Sequence, residues 1–152
     1  MSTEYLLLIH DDETAWGALA SAPEQRAERR AQYMHRHDAF TRLAAAEGHV
    51  ITASAELRRS GDARVVRPGA AAQEAAFVTD GPYAELAEQV GGYYVVTTDD
   101  VDGLVRVIGE AFAGSPEIFE LRASVAENEQ GSAEPPADAT AVGAVGAVGA
   151  AS

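Results

Sequence analysis

Thr79-Asp80-Gly81-Pro82-Tyr83-Ala84-Glu85, followed by Gly91-Gly92-Tyr93-Tyr94, concentrates turn chemistry between two apolar, β-favouring runs. Asp80 can bond its own backbone, Gly81 relieves φ, and Pro82 fixes φ near about −65°. The glycine pair is expected to break the chain again before it enters a strand. An acid held at a strand end by such a turn has a defined direction. It is either part of a site or a rigid corner.

Outward from that corner, residues 64–67 read as a short strand cut by Pro68-Gly69, and residues 75–79 resume extended structure after a turn near 70–74. Residues 85–89 fit one helical turn, and 92–98 a buried strand. At the N-terminal end, residues 4–10 read as a first strand, whose continuous apolar run Tyr5–Ile9 suits a central position. Asp11-Asp12-Glu13 then reads as a solvated strand end. Ser21-Ala22-Pro23-Glu24 has the form of a capping box with Pro in the first turn. The helix it opens runs to about Glu47 and stops at Gly48. Helical spacing places Tyr33, His37, Phe40 and Ala44 on one face, flanked by Met34 and Leu43, with His35 toward water.

Residues 49–57 alternate, with Ile51, Ala53, Ala55 and Leu57 against Val50, Thr52, Ser54 and Glu56, so a second strand fits. Asp99, Asp100 and Asp102 offer caps for a helix over 101–113 with Leu104, Val105, Ile108 and Phe112 as its stripe. Residues 117–125 read as the last strand. The order β-α-β-(β)-β-α-β is that of an α+β, ferredoxin-like split βαβ domain with an antiparallel sheet. Two helices can cover one sheet face only, so the other face must meet a partner or be polar. Composition shifts at residue 126. Pro135-Pro136 and three Ala-Val-Gly copies cannot bury enough surface to offset their ordering entropy, so 126–152 is expected to be a disordered tail on a 1–125 domain.

The chain has 152 residues, no cysteine and a net charge of −13. Four acids, Glu127, Glu129, Glu134 and Asp138, lie past residue 125 with no base beside them, which leaves −9 for residues 1–125. All eleven bases are arginine. Such acidity repels phosphate backbones, so nucleic-acid binding is not expected. The first residues lack a basic start and a long apolar core, and no run reaches the roughly 20 apolar residues of a membrane span. A cytoplasmic protein without a membrane partner is expected. Without cysteine, thiolate catalysis and Cys-ligated metals are excluded. No phosphate loop, nucleotide fingerprint or serine-nucleophile motif is present, and neither cofactor nor metal is expected.

The residues quoted so far resemble a known pattern. Tyr5–Ile9 with Glu13 and Trp16, then Met34, His37, Phe40 and Leu57, and above all Thr79–Glu85 followed by Gly91-Gly92-Tyr93, are similar to the YCII-related family, Asp-Gly-Pro-Phe subgroup. Glu120 and Arg122 match its closing Glu-x-Arg. The resemblance spans roughly residues 4–123. Tyr83 stands where the signature has Phe, Leu86-Ala87 where it has Thr-Lys, and Ala123 where it has Pro. It implies a dimeric α/β barrel, a homodimer packed sheet to sheet. It also implies a His–Asp pair, here His37 and Asp80. Relatives include a dechlorinating enzyme of aromatic catabolism, and many are encoded beside alternative sigma factors.

His37 is a titratable group on an apolar helix face. It is either a general base oriented by Asp80 or a core histidine bonded to a backbone carbonyl, with Asp80 capping its own turn. Arg58 and Arg122 present forks suited to a carboxylate or phenolate, or else pair with Glu56 and Glu120. Tyr83 and Tyr93 are candidate pocket residues, and alternation sends Tyr93 and Tyr94 to opposite sheet faces. Two functions follow. One is a small-molecule enzyme performing lyase- or isomerase-type proton transfer on an aromatic or polyketide-like substrate. The other is a non-catalytic dimeric binding or regulatory module, linked through the resemblance to an alternative sigma factor.

Overall fold

β1 (Thr3–Asp12) lies inside the sheet, with the side chains of its five-residue apolar run alternating between the two sheet faces. In the computed structural model, which describes residues 1–125, β1 pairs antiparallel with β5 (Glu88–Thr98) on one side and β6 (Ile118–Ala123) on the other. The edge position beyond β5 goes to β2 (Val50–Glu56), giving the order β2-β5-β1-β6. That order, all antiparallel, is the ferredoxin-like arrangement. The tail expected at 126–152 lies outside the described residues.

Two helices, α2 (Pro23–Ala46) and α3 (Val101–Ala111), cover one face, and a short helix, α1 (Glu13–Ala18), follows β1 directly. The core lies between them and the sheet: Leu7, Ile9, Tyr94 and Val96 meet Phe40, Ala44, Leu104, Val107 and Phe112. Fully burying one such aliphatic or aromatic side chain contributes about 1.5–3 kcal/mol. The opposite face carries Leu6, Leu8, Tyr93 and Val95, which alternate with the core residues along β1 and β5.

Several expectations are corrected. Asp11-Asp12-Glu13 is no solvated end: Asp12 caps α1 by accepting from Ala15 N (3.0 Å), and Glu13 accepts from Ser60 N (2.7 Å) and Ser60 Oγ (2.5 Å). The capping box does not form. The chain leaving α1 turns through Leu19 and Ala22, so the cap position falls on Ala22, one residue past Ser21, and no side chain caps α2. Gly91-Gly92 do not break the chain, and residues 85–89 are not helical. β5 runs through the pair, with Gly91 taking up a register shift against β1 between Ile9 and His10. A Cβ at Gly92 would stand 3.0 Å from the Ala55 carbonyl oxygen, so glycine lets β2 approach. In α3 the stripe is Leu104, Val107, Ile108 and Ala111, while Val105 faces water.

β3 (Arg64–Arg67) and β4 (Phe77–Asp80) match the expected pair but form a separate two-stranded ribbon. Its ladder extends into the signature turn, where Gly81 N–H donates to the Ala63 carbonyl (2.7 Å) and Gly81 takes φ +98°.

Candidate functional site

Helical spacing brings Arg26, Arg30, Tyr33 and His37 along one side of α2, facing the end of the sheet where β1, β2 and β5 meet α1. Two adjoining cavities open there. The larger, about 350 Å³, is lined by Asp11, Glu13, Trp16, Arg26, Tyr33 and Arg59, among others. The smaller, about 250 Å³, is lined by His37, Tyr94, Met34, Ser54 and Tyr93, and shares Tyr33 and Glu56 with the first.

Glu56 reaches this site because β2 has a bulge. Its pairing with β5 skips from Ile51 to Ala53, leaving Thr52 as an extra residue. Ala53 and Ala55 therefore fall opposite Val95 and Tyr93 on the outer face, and Ser54 and Glu56 turn to the helix side. Regular alternation sends Glu56 the other way, which is why the sequence did not point to it. Both Glu56 oxygens accept from Arg30, at 2.5 and 2.8 Å. That contact holds the Glu56 carboxyl below its usual range. Arg30 also lies over the Tyr33 ring and Arg29 over Trp16, at 5.3 and 4.6 Å from the ring centroids.

His37 is enclosed by aromatics: Tyr33 at 4.2 Å between centroids, Phe112 at 5.0 Å and Tyr94 at 5.8 Å. Its Nδ1 lies 2.6 Å from the Tyr94 hydroxyl, and its Nε2 is buried without a partner among the described residues. Burial pushes the imidazole pKa below its ordinary value. Glu56 opposes that shift and Arg30 reinforces it. The Tyr94 phenol is pushed up, again by burial. The pair is therefore a neutral imidazole against a neutral phenol. In the same layer the Asp11 and Glu117 carboxyls are both raised, first by burial, with the neighbouring Asp12 charge adding to the shift at Asp11 and the Asp11 charge to that at Glu117. Asp11 Oδ1, Trp16 Nε1 and Glu117 Oε2 lack hydrogen-bond partners among the described residues; the Trp16 indole lies near Asp11 without completing a bond.

A family model for the YCII-related domain matches residues 3–123. The chain belongs to the YCII-related family. A search among curated proteins finds no match.

Within this YCII-related domain, the expected site residues do not converge. His37 and Tyr93 line the smaller cavity. Arg58 and Tyr83 line a third one of about 410 Å³ beside the 3₁₀ turn at Ser60–Asp62, where Arg58 pairs with Asp62 (3.7 Å) rather than Glu56. Arg122 is exposed and sits 4.0 Å from Glu120, which also meets His10 (3.0 Å) on the outer face. The expected His37–Asp80 pair is not formed. Asp80 ends β4 in the ribbon, outside the main sheet. Its carboxyl is 89% exposed and turned to its cross-strand neighbour Arg64 (3.7 Å). Among the described residues no backbone carbonyl engages His37 either: Tyr94 stands where each reading placed another partner. A signal for Arg26 and Arg30 existed in the helical stripe, which continues upstream of Tyr33 at the same spacing.

Proposed function

We propose that this YCII-related protein is a cytoplasmic small-molecule enzyme of lyase or isomerase type, with His37 and Tyr94 transferring the proton. The observation that carries this reading is the 2.6 Å contact between a neutral, depressed-pKa imidazole and a phenol on the wall of a cavity. A base that is unprotonated at neutral pH is what proton abstraction beside a carbonyl requires. In the step, the Tyr94 oxygen takes a proton from a substrate C–H while its own proton passes to His37 Nδ1. The C–H electron pair stays on carbon as an enolate or phenolate-type anion. Return of the proton at another carbon gives an isomer, and departure of a neighbouring leaving group gives a lyase product. The imidazolium formed is favoured by Glu56. The aromatic lining suits an aromatic or polyketide-like substrate.

The test is deuterium exchange from solvent into cyclic 1,3-diketones and polyhydroxylated aromatics, followed by NMR. The wild-type rate is expected to rise with pH through the depressed His37 pKa and then level off. His37→Gln and Tyr94→Phe are expected to lose most of the rate, on the order of 10²-fold. Equal rates in wild type and both variants would sink the reading.

The same reading includes a homodimer packed through the outer sheet face, supported by the row Leu6, Leu8, Tyr93 and Val95 left by the one-sided helix layer. The second reading, a non-catalytic dimeric binding or regulatory module, is favoured by the exposed apolar ribbon residues Val66, Phe77 and Val78. It gives ligand binding with no exchange above background.

A further inference from the structure

The larger cavity has an unusual charge balance for so acidic a chain. Two of its three wall acids are already engaged, and the third is held toward its neutral form. Glu13 is spent on Ser60, Glu56 on Arg30, and Asp11 is half-buried against Trp16 with its carboxyl pushed toward the neutral form. Two wall bases are not engaged: Arg26 and Arg59 make no ion pair or side-chain hydrogen bond among the described residues. The same cavity is lined by an aromatic pair, Trp16 and Tyr33, edge-to-face at 6.3 Å and 84°. At about 350 Å³ the space falls within the range of small-ligand pockets.

We propose that this cavity binds a small aromatic carboxylate, its carboxyl group held between the Arg26 and Arg59 guanidiniums and its ring against Trp16. A guanidinium fork matches the two oxygens of a planar carboxylate. A phosphate dianion is a poorer fit, because the −9 charge of residues 1–125 opposes a second negative charge. The inference deepens the proposed function by naming the substrate's anchoring group. It rests on that reading only for the direction of the ring toward His37 in the adjoining cavity.

The chain has a single tryptophan, Trp16, so its emission reports this cavity alone. The full-length protein is titrated with benzoate, benzamide and inorganic phosphate while Trp16 fluorescence is recorded at low ionic strength. Benzoate is expected to give a saturable change that weakens with added salt. Benzamide and phosphate are expected to bind at least tenfold more weakly. Arg26→Gln and Arg59→Gln are each expected to weaken benzoate about tenfold, a loss of about 1.4 kcal/mol. Arg42→Gln, elsewhere on α2, should leave it unchanged, with circular dichroism melts confirming that all variants fold. A linear, collisional response to benzoate would overturn the proposal, as would equal binding of benzamide or phosphate, or indifference to both arginine substitutions. Binding is read here without turnover. Loss of deuterium exchange with benzoate binding intact counts against the proton-transfer reading alone, and the converse against this site alone.

Discussion

At the residue scale the central group is His37, whose two nitrogens are treated differently by the fold. Nδ1 has the Tyr94 hydroxyl and Nε2 has nothing among the described residues. Replacing Tyr94 by Phe keeps the ring that packs on Phe40 (4.9 Å) but leaves Nδ1 unpaired in a buried site. A loss of about 1–3 kcal/mol is expected in urea unfolding. The same imidazole makes stability depend on pH. Its folded pKa lies below its ordinary 6.5, so the unfolded chain binds more protons between the two values. This contribution is whole above about pH 6.5 and is lost as pH falls toward the folded value. Asp11 and Glu117 have the opposite sign. Their raised pKa values favour folding at low pH, and that advantage disappears as pH rises through the folded values. Thermal melts of Glu117→Gln should therefore exceed wild type at pH 7 and converge with it toward pH 4; a deficit at pH 7 would contradict this account.

At the element scale, what was legible in the sequence followed from periodicity, and what was not followed from single-residue shifts in phase. β1, α2, α3 and β6 were readable from apolar spacing, and Gly48 ends α2 with φ +83° as a C′ glycine does. α1 escaped notice because six residues with one tryptophan carry no repeat. The bulges at Thr52 and Gly91 are invisible to a pattern that assumes strict alternation. So Glu56 was assigned to the wrong face, and Gly91-Gly92 to a turn. Two caps make a direct comparison. Asp100 accepts from Gly103 N (2.8 Å) at the start of α3, and Asp100→Ala should cost about 1 kcal/mol. Ser21 makes no such bond, and Ser21→Ala should stay within about 0.5 kcal/mol. Gly92→Ala should be more damaging than Ser21→Ala, because the new methyl meets backbone rather than a movable side chain.

At the scale of the whole molecule, both helices lie on one side, and the site is built at the open end of that layer rather than at the signature turn. The Asp-Gly-Pro residues mark the family but stand on a ribbon beside the sheet, with Tyr83 84% exposed. The candidate site was legible in His37, the helical stripe and Tyr93; Glu56 comes from a strand whose phase the sequence conceals. No helix among the described residues is long and apolar enough to cross a membrane. For the proposed dimer, the outer face gives a direct check. Light scattering at micromolar concentration should return twice the chain mass for wild type and one chain mass for Val95→Glu. A wild-type monomer would remove the sheet-to-sheet arrangement.

The Thr52 bulge also bears on how relatives of this protein should be compared. One residue in an edge strand decides whether the carboxylate at position 56 faces Arg30 or the opposite side of the sheet. A homologue that had lost that residue could retain every side chain of the site, letter for letter, and still present an altered cavity. Its divergence would show as a single gap in an alignment, in a strand containing none of the proton-transfer residues. Scoring the family by identity at His37, Tyr94 and Glu56 would group such a protein with this one; scoring it by strand length would separate them.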